Sequence, residues 1–180
     1  LALMLLVPAL AVAEGATLPF GLALGMDGEQ ARAAFAADPT LAKLTPDKSD
    51  YGSGAVEYVF EDVAIPGTSL TANSLSVQID QNNSKKAERL TTVGFTIDPA
   101  EDSIASFRAI LAALSPTLGA PEGDPFDAAA VDTYVEWGTL SASWTLADTR
   151  VALTLNRMYE ESITLQYTSR LNYDKADLGL

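Results

Sequence analysis

The sequence predicts an α+β protein made of two tandem repeats, each a helix followed by a three- or four-stranded antiparallel meander. Apolar and polar residues alternate strictly in several segments of each half, which is typical of strands with one packed and one wet face. Helix-capping patterns occur at Asp27 and at Asp98, 71 residues apart. Because similar elements follow both caps, residues 14–98 and 99–174 are predicted to be the two repeats, with a tail at 175–180.

A short helix is predicted to open the first repeat. Asp27 is placed as its N-cap, with Gln30 at the capping-box position and Met26 at the position of a hydrophobic staple. A narrow apolar face leads to Phe35, and the helix is expected to end near Asp38.

Strand patterns follow this helix. Loop signals from Pro, Asp, Ser and Gly fill residues 40–54. Three strands are then predicted over residues 55–63, 74–80 and 88–97, with a hairpin loop between the last two.

A longer helix is predicted between the two sets of strands. Asp98 is placed as its N-cap, Pro99 suits the first helical position, and Glu101 can bond back to the cap. Gly119 supplies a left-handed C-terminal cap, and Pro121 keeps the helix from resuming. Its apolar stripe consists of Ile104, Phe107, Ile110, Leu111, Leu114 and Leu118. Since neither a helix nor a meander can bury its apolar face alone, each helix is expected to cover a sheet, with the two sheets separate or fused.

The second half is predicted to end in a further meander. A loop rich in Gly, Pro and Asp reaches residue 130. Strands are predicted over residues 131–138, with a break at Gly138 and a continuation over 139–146, and then over 150–157 and 162–170.

Residues 1–13 have the pattern of a signal peptide with a truncated start. The run is uniformly apolar, ends in Ala11-Val12-Ala13, and is shorter than the roughly 20 residues of a membrane span. The alternative is a buried N-terminal helix. The signal-peptide interpretation predicts export across a bacterial inner membrane, a periplasmic or secreted location, and no integral membrane segment in the mature chain.

Composition excludes several classes of function. The chain has no cysteine and no histidine, so disulfides, Cys–His or Ser–His–Asp catalysis and the commonest transition-metal ligands are absent. Acidic residues outnumber basic ones by 24 to 11, which gives a net charge of −13 and disfavours nucleic acid. The basic cluster Lys85, Lys86 and Arg89 is interpreted as a solvated turn.

The order of elements resembles the tandem helix-plus-meander repeat of the secreted β-lactamase-inhibitor proteins. It is also similar to the single unit found in lipoproteins of outer-membrane barrel assembly. The short segments that carry this resemblance are Phe20-Gly21-Leu22-x-Leu24-Gly25-Met26, Leu118-Gly119-Ala120-Pro121, Tyr134-Val-Glu-Trp137 and Ile163-Thr-Leu-Gln-Tyr167. Those families carry disulfides or a lipidated cysteine, which this chain lacks, so no functional residue is transferred from them.

Catalytic and metal sites are disfavoured. The adjacent carboxylates Glu61-Asp62 and Glu160-Glu161 point to opposite faces if they lie in strands, so they do not converge on a substrate. Calcium could take oxygen ligands from an acidic loop, but the spacing there does not match an EF-hand, and a solvated loop is the preferred interpretation. The acidic loop consists of Glu122, Asp124, Asp127, Asp132 and Glu136. The sequence thus predicts no enzyme activity, metal or cofactor.

Aromatic residues offer one possible partner surface. Tyr58, Trp144 and Tyr167 share strand parity with aliphatic residues and are predicted to lie in the core. Tyr134 alternates against Trp137 and is the candidate for the open face. Ordinary packing is the preferred interpretation of the whole set.

The main candidate binding surface is one face of the second meander. Its predicted residues are small, uncharged and polar: Thr139, Ser141, Ser143, Thr145, Thr154, Asn156, Thr164, Gln166 and Thr168. Such a face is easily desolvated, and the β-lactamase-inhibitor proteins bind through an open sheet. The predicted function is a non-catalytic binding or assembly module for another envelope or secreted protein. The alternatives are a carrier of a small apolar ligand between helix and sheet and, more weakly, a hydrolase that uses carboxylates.

Overall fold

The computed structural model describes residues 18–51, 54–82, 87–99, 102–158 and 161–170. The leader predicted at 1–13 and the tail at 175–180 lie outside these residues. The helices are α1 (Gly28–Ala37), α2 (Ser103–Leu118) and α3 (Ala128–Trp137). The strands are β1 (Asp47–Asp50), β2 (Ala55–Ala64), β3 (Thr71–Asn82), β4 (Ala87–Ile97), β5 (Thr139–Thr145), β6 (Thr149–Asn156) and β7 (Ser162–Ser169).

The seven strands in the described part of the chain form one antiparallel sheet in the order β1-β2-β3-β4-β7-β6-β5. The α+β class is therefore confirmed. Strands β1 to β4 and strands β5 to β7 are two meanders that join where β4 pairs with β7. Because the described residues form three α-helices and a single sheet of seven strands, the two-repeat organisation is not confirmed.

Helix α1 begins as the sequence predicts. The Gln30 amide donates to Asp27 Oδ1 at 2.8 Å, and the Asp27 amide donates to Gln30 Oε1 at 3.0 Å. This capping box satisfies two amides that have no partner within the helix. Phe35, on the buried face, packs edge-on against Phe60 with ring centroids 5.1 Å apart, so α1 is anchored on β2.

The predicted cap of α2 is wrong by four residues. Asp102, not Asp98, accepts the helical hydrogen bond, from the Ala105 amide at 2.9 Å. Asp98 instead pairs with Asn73 of β3, donating from its amide at 2.8 Å and accepting from Asn73 Nδ2 at 2.6 Å. Asp98 and Asp102 are both suitable N-cap residues. Because Asp98 is hydrogen-bonded to Asn73, Asp102 is the one that caps the helix. Gly119 ends the helix at the predicted position and has a positive φ of +79°, but its ψ of −165° shows that it does not adopt the predicted left-handed helical conformation.

Strand β1 occupies part of the predicted loop at 40–54. Its four residues are all exposed and pair with β2 from Asp47 opposite Val59 to Asp50 opposite Val56. Because the strand buries no side chain, backbone pairing forms it without an apolar pattern. Charged residues on a short edge strand also discourage pairing with other chains.

Helix α3 replaces the predicted strand at 131–138. Asp127 caps it by accepting from the Ala130 amide at 2.8 Å, and Gly138 ends it at φ +69°. Ala130 and Tyr134, four residues apart, pack towards the core, which is a helical spacing. The apolar residues at 131–138 belong to one face of a helix, and their spacing was mistaken for the two-residue alternation of a strand. The break at Gly138 and the strand after it are confirmed.

The core lies between the helices and one face of the sheet. Helix α2 contributes Phe107 and Ile110, both fully buried, and Trp144 of β5 donates from Nε1 to the Gly119 carbonyl at 3.0 Å. In the central strands, alternate residues point into this core and their neighbours point to the opposite face. None of the helices in the described residues is long and apolar enough to cross a membrane.

Candidate partner-binding face of the sheet

The nine predicted face residues lie on the side of the sheet away from the helices. None of them is buried. Strand β5 supplies Thr139, Ser141, Ser143 and Thr145, β6 supplies Thr154 and Asn156, and β7 supplies Thr164, Gln166 and Thr168. The structure therefore brings all nine together on one surface, here called the open face.

The open face extends across β4, β3 and β2, which the sequence did not predict. In one cross-strand row, Thr164 pairs with Thr96 of β4, and Thr96 pairs with Ser74 of β3. In the next row, Gln166 pairs with Gly94, and Gly94 pairs with Ser76. The polar alternation of these strands was visible in the sequence. Their pairing with β7 depends on contacts distant along the chain, so the full width of the face was missed.

Gly94 lies at the centre of a shallow depression in the open face. The depression has a volume of about 260 Å³. A Cβ added to Gly94 would meet no atom within 4 Å, so the missing side chain leaves open space. Its lining comes from Glu57, Ser76, Gln78, Thr92, Gly94, Phe95, Thr96, Thr164, Leu165 and Gln166.

Glu57 of β2 is the ionisable residue at this depression. Its carboxylate accepts one hydrogen bond from Ser76 Oγ at Oε1 and another from the Tyr51 hydroxyl at Oε2. The bond to Glu57, and secondarily its charge, raise the pKa of Tyr51. Tyr51 therefore stays protonated as a donor at neutral pH. Since a carboxylate can accept about four hydrogen bonds, Glu57 keeps capacity for a further donor.

The outer edge of β5 is covered at one end by Glu122. The Glu122 amide donates to the Ser143 carbonyl at 2.7 Å, and Ser143 Oγ donates to Glu122 Oε2 at 3.3 Å. Hydrogen bonds from Thr145 and Ser143, with a smaller contribution from Arg150, lower the pKa of Glu122 against an opposing effect of desolvation. This loop residue thus occupies backbone groups that an added strand would use.

The remaining acidic loop residues have separate local roles. Asp124 accepts from the Phe126 amide at 2.9 Å, and Asp127 caps α3. Asp132 and Glu136 are exposed on α3. In the part of the chain that the structure describes, no three acidic side chains are grouped so as to hold a metal ion.

The aromatic residues divide between core and α3. Tyr58, Trp144 and Tyr167 are buried, as predicted. Tyr134 does not lie on the open face: it is half-buried on α3, where the Arg157 guanidinium lies 4.4 Å from its ring centroid. Trp137 is 57% exposed on the same helix.

A second cavity lies on the helix side, between α2 and strands β4 and β7. Its volume is about 250 Å³ and its lining is mainly apolar. Burial raises the pKa of Tyr167, one of the lining residues, to about 12, so its hydroxyl is neutral at physiological pH. The lining consists of Leu18, Pro19, Ile65, Pro66, Phe95, Ala113, Leu114, Thr117, Leu118, Leu165 and Tyr167.

Comparisons with protein-family models, curated proteins and solved structures found no match to this chain. The candidate site therefore rests on geometry and on the sequence.

Proposed function

We propose that this chain is a non-catalytic binding or assembly module that engages another envelope or secreted protein through the open face. The observation that carries the proposal is the extent of that face, which runs from β2 to β5 with side chains that are exposed or half-buried. Serine and threonine lose little side-chain entropy on contact and cost less to desolvate than charged groups. Such a face can be covered by a partner at small cost.

The size of the open face suits a protein partner. Six neighbouring strands about 4.8 Å apart, and four residue rows about 6.8 Å apart, give a surface of roughly 25 by 20 Å between outer backbones. With side chains and rim added, this approaches the roughly 800 Å² that each partner buries in a standard interface. A small metabolite would use only a fraction of it.

The proposal includes location and ancestry. The leader predicted at 1–13 supports action in the periplasm or outside the cell, and the charge of −13 disfavours nucleic acid. The consecutive meanders, with α1 before one and α2 before the other, support an origin by duplication of a helix-plus-meander unit, with α3 as an addition.

Capture from an envelope extract with three forms of the chain tests this function. Thr164→Trp places a bulky, uncharged side chain in the middle of the open face, and Ala36→Trp is the control on the exposed side of α1. A specific partner should be retained by the wild type and by Ala36→Trp and lost from Thr164→Trp. Equal retention by all three forms would contradict binding through this face.

A second candidate function is that of a carrier for a small apolar ligand. The cavity beneath α2 supports it, although 250 Å³ is smaller than the usual range of about 300–1,000 Å³ for ligand sites. Ala113→Trp would fill this cavity, and Ala112→Trp, on the exposed side of the same helix, is the matched control. A carrier would yield an apolar molecule on solvent extraction of the wild type and of Ala112→Trp, but not of Ala113→Trp.

A further inference from the structure

We propose that the protein partner inserts a lysine or arginine side chain into the depression over Gly94, where Glu57 pairs with it. This inference rests on the proposed function, since it names the chemistry by which the open face recognises its partner. It follows from the shape of the depression, the charge of its lining and the preset position of one carboxylate.

The shape suits a long, flexible side chain. Gly94 leaves the floor open, and the polar groups of Ser76 and Gln166 flank it in the same row. The side chains of Phe95 and Leu165 are buried on the core side of the sheet, so these two residues present no apolar side chain to the depression. The open space over Gly94 can hold the aliphatic stem of a cationic side chain while its head reaches the rim. The volume of about 260 Å³ leaves room for one such side chain.

The charge of the lining favours a cation. Of the ten described residues that line the depression, Glu57 is the one with an ionisable side chain. A negative group at the rim of a neutral depression attracts a positive side chain and repels an acidic one. The net charge of −13 adds long-range attraction for basic partners, which weakens as salt rises.

Glu57 is held in place before a partner arrives. Ser76 and Tyr51 each donate to a different oxygen of the carboxylate, which fixes its orientation. A cation therefore pairs with it without the entropic cost of ordering a free side chain. Unused acceptor positions on both oxygens can receive the N–H groups of lysine or arginine.

A random-sequence peptide library displayed on phage provides the probe. The library is selected on the wild-type chain, and the selected peptides are then tested on Thr164→Trp to identify those that use the open face. These face-binding peptides should be enriched in lysine or arginine. Face-binding peptides without such enrichment would overturn the cationic inference and leave the proposed function standing. If every selected peptide binds Thr164→Trp as well as the wild type, the proposed function fails too.

Two charge-neutralising variants on one strand then test Glu57 itself. Glu57→Gln should weaken a face-binding basic peptide about 10- to 100-fold, as expected for loss of a partly desolvated charge pair. Glu61→Gln is the control, because Glu61 lies on the same strand and face but outside the depression. It should change the affinity less than about threefold. Equal losses of peptide affinity in the two variants would show that only the overall negative charge matters, and would overturn the pairing with Glu57.

A double-substitution cycle guards against misfolding of the variant. The critical basic residue of the peptide is replaced by methionine and combined with Glu57→Gln. Once that residue is gone, Glu57→Gln should have little further effect on the affinity. Additive losses would contradict direct pairing, and circular dichroism confirms that each variant keeps the fold.

Discussion

Glu57 of β2 and Arg150 of β6 lie in the same cross-strand row of the open face. Gln78, Thr92 and Thr168 separate them in the register, which places their backbones about 19 Å apart across neutral polar residues. Arg150 also faces Glu122, which offsets part of its charge, whereas Glu57 borders the depression over Gly94. The face is thus neutral in the middle with an acidic side, and an oriented partner would place its basic group towards β2.

Gly94 and Gly138 are predicted to respond oppositely to the same substitution. Gly94→Thr should leave the free energy of unfolding unchanged or raise it by up to about 1 kcal/mol, because the added side chain meets open space in a strand. Gly138→Thr should lower it by about 1–3 kcal/mol, since φ is +69° and its Cβ would lie 2.8 Å from Arg157 Cγ. Urea unfolding measures both. Gly94→Thr should also weaken binding at the open face, and a stable variant with full binding would exclude the depression from the interface.

Asp102 and Asp98 are predicted to stabilise different parts of the fold. Asp102→Ala should lower the free energy of unfolding by about 0.5–2 kcal/mol, because the α2 cap is lost. Asp102→Asn should keep most of the stability that the cap provides, because asparagine is also a good N-cap. The losses of unfolding free energy caused by Asp98→Ala and Asn73→Ala should not add in the double variant, because the two residues pair with each other. The losses caused by Asp98→Ala and Asp102→Ala should add. Free energies of unfolding from denaturant titrations give these values. Non-additive losses for Asp98→Ala and Asp102→Ala, with additive losses for Asp98→Ala and Asn73→Ala, would indicate that Asp98 belongs to the cap of α2.

Glu122 is predicted to link stability to acidic pH. Its pKa is lower in the folded chain than the ordinary glutamate value of 4.5, so its charged form stabilises the fold at neutral pH. That contribution is present above the ordinary pKa and disappears as pH falls through the lowered one. The difference in unfolding free energy between wild type and Glu122→Gln should therefore shrink between pH 7 and pH 2. A constant difference, or an NMR titration of Glu122 above its ordinary pKa, would contradict the hydrogen bonds to β5.

The two tryptophans provide a test of helix α3. Trp144 is 2% exposed and donates to Gly119, whereas Trp137 is 57% exposed on α3. Trp144→Phe should lower the free energy of unfolding by about 0.5–1.5 kcal/mol through the lost hydrogen bond. Trp137→Phe should change it by less than about 0.5 kcal/mol. In the single-tryptophan variants, acrylamide should quench Trp137 efficiently and Trp144 weakly. Protection of Trp137 would indicate that α3 packs differently.

The sequence predicted the elements whose signals are local. The capping box at Asp27, the glycine at the end of α2 and the alternation in six of the seven strands of the described residues were all recognisable. Strand β1 was missed because it buries no side chain, so no apolar pattern marks it. Helix α3 was mistaken for a strand because a short apolar run fits both periods until Asp127 and Gly138 are recognised as its caps.

The errors at the site come from contacts distant along the chain. The hydrogen bond of Asp98 to Asn73, 25 residues away along the chain, leaves Asp102 as the N-cap of α2. The pairing of β4 with β7 joins Gly94 to Gln166 and thereby doubles the width of the open face. Glu57 reaches the depression through the register of β2 on β3. The pattern of apolar and polar residues within a single helix or strand does not indicate which distant residues it will contact.

Hydrogen exchange on the chain with and without a captured envelope protein tests the open face most directly. Binding through this face predicts slower exchange in β4 and β7 around Gly94 and Gln166, with α2 little changed. Protection confined to α2 and the cavity at Ala113, with the open face unaffected, would contradict binding through the sheet and favour the apolar carrier.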